Sequence, residues 1–299
     1  MKKTLFVATA AAIAISLVGC ASAGSLDGSS SESTSGDAIT IGSANFSENV
    51  LIAHIYAEAL NDAGVEANVK PNIGSREVIV PALQDGSIDL VPEYSGALLA
   101  YLGGDDTAFS SADVLTALDD VVPEGLTLLE AAEAEDKDTL VVTAETAKKY
   151  NLVSIADLKP VAGEMVLGGP PETKDRRAGV PGLKELYDVT FGEFKSVDLG
   201  GPLTVAGLNG GDIDVALMFT TQSAIAENGF VSLEDPEYMS LAENIIPVLR
   251  SDRTDPKIVE SLNAVSAKLT TEDLIRMNRE IEVDKKDPQK VARAYVDSL

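Results

Sequence analysis

Ala82-Leu83-Gln84-Asp85-Gly86-Ser87-Ile88-Asp89-Leu90-Val91-Pro92-Glu93-Tyr94-Ser95 has a counterpart 125 positions further on, Gly207-Leu208-Asn209-Gly210-Gly211-Asp212-Ile213-Asp214-Val215-Ala216-Leu217-Met218-Phe219-Thr220. Each copy reads as a helix end, a Gly, a short strand carrying Ile-Asp-Leu or Ile-Asp-Val, an aromatic and then a hydroxyl. Gly is the usual stop after a helix because it enters the left-handed region without steric penalty. The short apolar run behind it suits a strand buried in a parallel sheet. In open α/β sheets, ligands bind beyond the carboxyl ends of the strands. Tyr94 and Phe219 are therefore each expected at a ligand-facing strand end. A second pair of stretches, Ile39-Thr40-Ile41-Gly42-Ser43 and Met165-Val166-Leu167-Gly168-Gly169, recurs in the same order at an offset of 126. Two matches at nearly one offset point to duplicated α/β architecture, with two similar lobes across a cleft.

The 299 residues allow about two domains, and an apolar content of 45% is ample for two cores. A net charge of −25 argues against nucleic acid and against anionic membrane surfaces as partners. One Cys excludes an internal disulfide or a multi-Cys metal site, and one His, His54, excludes a poly-His site. No Trp is present, so the few aromatics near strand ends carry weight.

Lys2 and Lys3 precede an apolar run from Leu5 to Val18, then Gly19 and Cys20. A basic start, an apolar core and small residues describe a secretory signal, in a run too short to span a bilayer comfortably. Leu17-Val18-Gly19-Cys20 resembles the bacterial lipobox, which implies a lipid on Cys20. Residues 21–37 are Ser- and Gly-rich and read as a flexible tether. Residues 38–138 and 245–299 are expected to form one lobe and residues 139–244 the other.

Within the first lobe, Ser47 is expected to cap a helix ending at Gly64, with Phe46 and Leu51 as its hydrophobic staple. Pro81 should kink or shorten the helix that begins at Ser75. Further strands are expected at 67–69, 88–91, 126–129, 138–142, 165–167, 194–197 and 244–248. Three amphipathic helices, near 256–269, 272–281 and 288–296, finish the chain.

Gly42-Ser43-Ala44-Asn45-Phe46-Ser47-Glu48, Gly74-Ser75-Arg76-Glu77 and Ile88-Asp89-Leu90-Val91-Pro92-Glu93-Tyr94-Ser95-Gly96 together resemble the substrate-binding lipoproteins of osmoprotectant ABC importers, which take glycine betaine, carnitine or choline. Leu140-Val141-Val142-Thr143, Pro181-Gly182-Leu183-Lys184 and the strand carrying Asp214 agree. The resemblance covers about residues 38–299. It implies a type II periplasmic-binding-protein fold, closure of the lobes around a small solute, and delivery to a membrane permease. It also implies an aromatic cage that holds a quaternary ammonium group by cation–π attraction.

Tyr94 matches a cage Tyr of that family, and Phe219 stands where another Tyr is found. Val205 and Asp138 fall at two further Tyr positions and offer no π face. An Arg for the ligand's carboxylate falls at Arg176 or Arg177. Asn45, Ser75, Arg76 and Thr220 are the remaining candidate ligand contacts.

No nucleophile–base pair, metal set or cofactor motif is evident, so a receptor acting as a monomer is expected and an enzyme is not. The alternative ligands are a carboxylate-bearing solute or a flat aromatic one. A non-transport lipoprotein or an enzyme on the same fold is the alternative role.

Overall fold

The structure is a computed structural model that describes residues 38–105 and 107–299. The signal, the lipobox with Cys20 and the tether lie outside the described residues. In chain order the first half contains β1 (Ile39–Ala44), α1 (Ser47–Asp62), β2 (Ala67–Gly74), α2 (Arg76–Gln84), β3 (Leu90–Tyr94), α3 (Ser95–Tyr101), α4 (Ser111–Val121) and β4 (Leu126–Leu128). Next come β5 (Asp138–Thr143), α5 (Ala144–Tyr150), β6 (Val166–Gly169), α6 (Val180–Tyr187), β7 (Glu193–Ser196), α7 (Pro202–Gly210), β8 (Val215–Phe219), α8 (Ser223–Asn228) and β9 (Phe230–Ser232). The chain closes with β10 (Ile245–Arg250), α9 (Pro256–Ser266), α10 (Thr271–Glu282) and α11 (Pro288–Val296).

Two five-stranded sheets result, ordered β2-β1-β3-β10-β4 and β7-β6-β8-β5-β9. The orders are equivalent position by position. In each, two strands lie parallel to the strand of the first-copy or second-copy motif or to its neighbour, and the fourth, β10 or β5, runs antiparallel to it. The fold is α/β with two lobes.

The repeated residues do the same work in both copies. Asp89 Oδ2 accepts the Thr40 backbone N–H at 2.9 Å, and Asp214 Oδ2 accepts that of Val166 at 2.8 Å. Each Asp thereby clamps the start of the neighbouring parallel strand, satisfying a donor at the sheet's end. Gly42 and Gly168 admit the motif's Ile, because a Cβ built there would stand 2.6 Å from Ile88 Cδ1 and 2.5 Å from Ile213 Cδ1. Gly86 and Gly211 take φ of +80° and +74°, the left-handed stop expected at the helix ends.

Several local expectations shift. The strand holding Asp89 begins at Leu90 and runs on to Tyr94, two residues later than its apolar run suggested. Asp89 lies just before it, its side chain on Thr40 N, Arg250 and Arg253 and its backbone bonded to Thr40 O and Arg250 N. α2 runs past Pro81 to Gln84 instead of ending early. Pro81 lies near the helix's end on an exposed face, where water can satisfy the carbonyl it leaves free. Ser47 does not cap α1: Phe46 occupies the N-cap position, and the Ser47 hydroxyl donates instead to Glu282 Oε1 at 2.7 Å. α8 and β9 are elements the sequence pattern did not signal.

Candidate functional site

The carboxyl ends of β3 and β8 meet across the cleft, which brings Tyr94 and Phe219 together. Their rings are 6.2 Å apart between centroids and only 13° from parallel. Phe46, from the loop that leads into α1, completes a trio at 4.8 Å from Phe219 and 5.9 Å from Tyr94. Sequence reasoning assigned Phe46 to a helix staple and missed this placement. Its position inside the stretch Gly42 to Glu48 was the available signal.

Asn49, buried on α1, holds the arrangement in register. It accepts the Ala44 N–H at 2.7 Å and donates to the Pro92 carbonyl at 3.0 Å. The loop bearing Phe46 is thereby tied to the strand bearing Tyr94. Tyr94 itself donates its hydroxyl to Glu48 Oε1 at 2.9 Å.

A cavity of about 340 Å³ opens beside the rings. Of the sequence candidates, Tyr94, Phe219, Asn45, Ser75, Arg76, Asp138 and Arg176 line it, with Phe46, Glu93 and Glu243 added. Three candidates are not brought to it. Arg177 donates to the backbone carbonyls of Tyr238 and Met239. Thr220 donates to Asp136 at 3.1 Å and accepts the Lys137 N–H. Val205, on α7, lines a neighbouring groove of about 660 Å³ that shares Asn45 and Phe46 with the cavity.

The cavity's charge is predominantly acidic: Glu93, Asp138, Glu172, Asp198 and Glu243 face two cations, Arg76 and Arg176. Both cations are engaged. Arg76 grips Glu93 through Nε at 3.0 Å and Nη2 at 2.7 Å. Arg176 reaches over the cleft to Glu77 on α2, with contacts of 3.1 and 2.9 Å. Against the upward push of partial burial, hydrogen bonds from Arg176 and Ser75 hold the Glu77 carboxyl down at about 2.

Asp138 and Glu243 behave in the opposite way. Burial pushes Asp138 up to about 6 despite the nearby Arg176 and Arg76. Burial, reinforced by the charge of Asp138, pushes Glu243 up to about 8. A desolvated carboxylate that its neighbours do not neutralise keeps its proton unless a cation arrives. Chemically, then, the site offers three aromatic rings and acidic groups that a positive charge would ionise. Among the described residues no cluster of His, Cys, Asp and Glu is arranged to hold a metal ion.

Comparisons with known proteins bear on the family and the fold. Residues 37–298 match the model of a family described as the substrate-binding domain of ABC-type glycine betaine transport systems. The glycine betaine-binding protein YehZ of Escherichia coli (strain K12) is 26% identical over 273 residues, covering 86% of this chain and 89% of that protein. The carnitine transport binding protein OpuCC of Listeria monocytogenes is 25% identical, covering 88% of this chain and 87% of its own length. A crystal structure of a glycine betaine/carnitine/choline ABC transporter protein superposes with a TM-score of 0.68 at 24% identity, over 87% of this chain and 98% of that one. The chain therefore belongs to the family of substrate-binding domains of ABC-type glycine betaine transport systems.

Proposed function

We propose that this receptor captures a quaternary ammonium solute of the betaine, choline or carnitine class against Phe46, Tyr94 and Phe219, and hands it to an ABC permease. The observation that carries the reading is the meeting of three rings beside an acidic cavity. Rings attract a cation without requiring a hydrogen bond that a quaternary ammonium cannot form, at about 2 kcal/mol per desolvated face. A centroid spacing of 6.2 Å leaves no room for a cation between Tyr94 and Phe219, so the head group meets these rings from the cavity side or parts them as the lobes move.

At the solute's other end, Arg76 and Arg176 are already paired with Glu93 and Glu77. A carboxylate would have to compete for them, which favours choline over glycine betaine within the class. Calorimetry with choline, glycine betaine and carnitine tests both points. Binding of at least one is expected, and Tyr94→Ala should weaken it about thirtyfold or more, the loss of one face at roughly 2 kcal/mol. Failure of all three to bind, with an amino acid or a flat aromatic binding instead, overturns the reading.

The receptor is further proposed to be held outside the cytoplasmic membrane by a lipid on Cys20, on the strength of the lipobox resemblance. Cys20→Ala should appear in the soluble fraction or remain unprocessed; a processed variant still in membranes rules out the anchor.

A further inference from the structure

Beneath the ring trio lies a carboxylate that does not line the cavity. Glu48, 2% exposed on α1, spends its two carboxylate oxygens in different directions. Oε1 receives the Tyr94 hydroxyl at 2.9 Å. Oε2 receives the Thr221 hydroxyl at 2.5 Å and Asn278 Nδ2 at 2.6 Å. Thr221 follows β8 in the second lobe, whereas Asn278 sits on α10, which packs against α1 in the first. One carboxylate thus joins the ring of one lobe to the backbone segment that carries Phe219 in the other.

We propose that Glu48 is a positioning residue for the cation site: held by Thr221 when the lobes meet, it orients Tyr94 and, as an anion accepting the phenol hydrogen, enriches the ring face that a cation would contact. This rests on the reading of the cleft as a cation receptor. A phenol whose hydrogen is drawn toward a carboxylate carries more electron density on its ring than one bound to a neutral acceptor. The interaction is also charge-assisted, and such hydrogen bonds are roughly twice as strong as neutral ones.

The surroundings agree that Glu48 is the charged partner. Asp136 is fully buried beside it and accepts the Thr221 N–H at 3.0 Å on Oδ1, while its Oδ2 has no donor. An acid with a donorless oxygen next to a carboxylate is where a shared proton belongs. Burial and the charge of Glu48 push Asp136 far above the ordinary carboxylate range; the Glu48 carboxyl is itself raised by burial, with hydrogen bonds from Thr221, Asn278, Asp136 and Tyr94 opposing. Burial and the same two acids raise Tyr94 as well, so its hydroxyl keeps the proton it donates.

The test is a double-mutant cycle on the full-length protein with Glu48→Gln and Tyr94→Phe. Gln is nearly isosteric, and Asn278 Oδ1, buried without a partner, can turn to accept from the new amide. Glu48→Gln should weaken choline or glycine betaine about tenfold, the exchange of a charged for a neutral acceptor. In the Tyr94→Phe background the same change should cost less than about twofold, because its route to the solute is gone. Equal losses in both backgrounds would mean a merely structural role and overturn the proposal. Should Glu48→Gln not fold, Thr221→Val enters the same cycle with the same criterion.

A readout that needs no solute accompanies it. In spectra of protein carrying carbon-13 at tyrosine Cζ, the resonance lost in Tyr94→Phe should shift in Glu48→Gln, and an unmoved resonance also overturns the proposal. If wild type binds none of the three quaternary ammonium solutes, the functional reading falls while this spectrum still decides the role of Glu48.

Discussion

At the scale of single residues, the decisive groups are Asp138 and Glu243, two acids that the cleft keeps from ionising easily. Their values of about 6 and 8 in the protein make a direct pH prediction. A bound quaternary ammonium stabilises the charged carboxylates and lowers both values, so binding releases protons. Affinity must then rise with pH as it passes through about 6 and again toward 8, and level off above. The linkage amounts to about tenfold between pH 5 and 9 for each unit by which binding lowers one of these values. Calorimetry in buffers of differing ionisation enthalpy reads that proton directly; a flat profile would mean that neither acid faces the solute. Asp138 was in view from the sequence as a cage position without a ring. Glu243 was not, because nothing in the pattern of residues 234–244 separates it from the many surface acids of a chain with net charge −25.

At the scale of elements, the two Asp clamps carry the duplication, yet they are not equal. Asp214 holds Val166 N, whereas Asp89 holds Thr40 N and also pairs with Arg250 at 3.4 Å and Arg253 at 3.2 Å. Removing Asp89 leaves a backbone donor and two partly buried guanidiniums with less to bind. Asp89→Ala should therefore lower stability by about 2–3 kcal/mol and Asp214→Ala by about 1–2 kcal/mol. Denaturant midpoints at equal slope compare the two, and an Asp214→Ala cost at or above that of Asp89→Ala would contradict the difference in partners. The elements flanking the motifs were legible because Gly stops and short apolar runs are local signals. β9 escaped notice: its three residues gain strand structure only by pairing with β5, through Val141, Val142 and Thr143.

At the scale of the whole molecule, the two sheets are joined by two crossings, between β4 and β5 and between β9 and β10, and by contacts over the cleft. The Arg176–Glu77 pair, at 2.9 Å, is one such contact and lies on the surface. Exposed ion pairs contribute about 0–1 kcal/mol, so this pair biases closure weakly and leaves the solute to complete it. The crossings are proposed as hinges, with residues 38–138 and 245–299 moving as one body against 139–244. Small-angle scattering should show the radius of gyration falling when a binding solute is added. Arg176→Ala should raise it in the absence of solute. No change on binding would mean that the cleft does not close by movement of these bodies.

By itself the sequence determined the duplicated two-lobed α/β fold and the meeting of Tyr94 with Phe219. Helix stop, clamp Asp, apolar strand and terminal aromatic lie within a dozen residues of one another, and their order survives in both copies. Tertiary structure alone decided that Phe46 turns to the rings, that Ser47 serves Glu282, and that Val205 and Arg177 stay out of the cavity. It also decided that Glu48 gathers Tyr94, Thr221 and Asn278, partners separated from it by 46, 173 and 230 positions. Local pattern records which face of an element is apolar. It does not record which distant element arrives opposite a polar group on that face, because that depends on how whole sheets and helices pack.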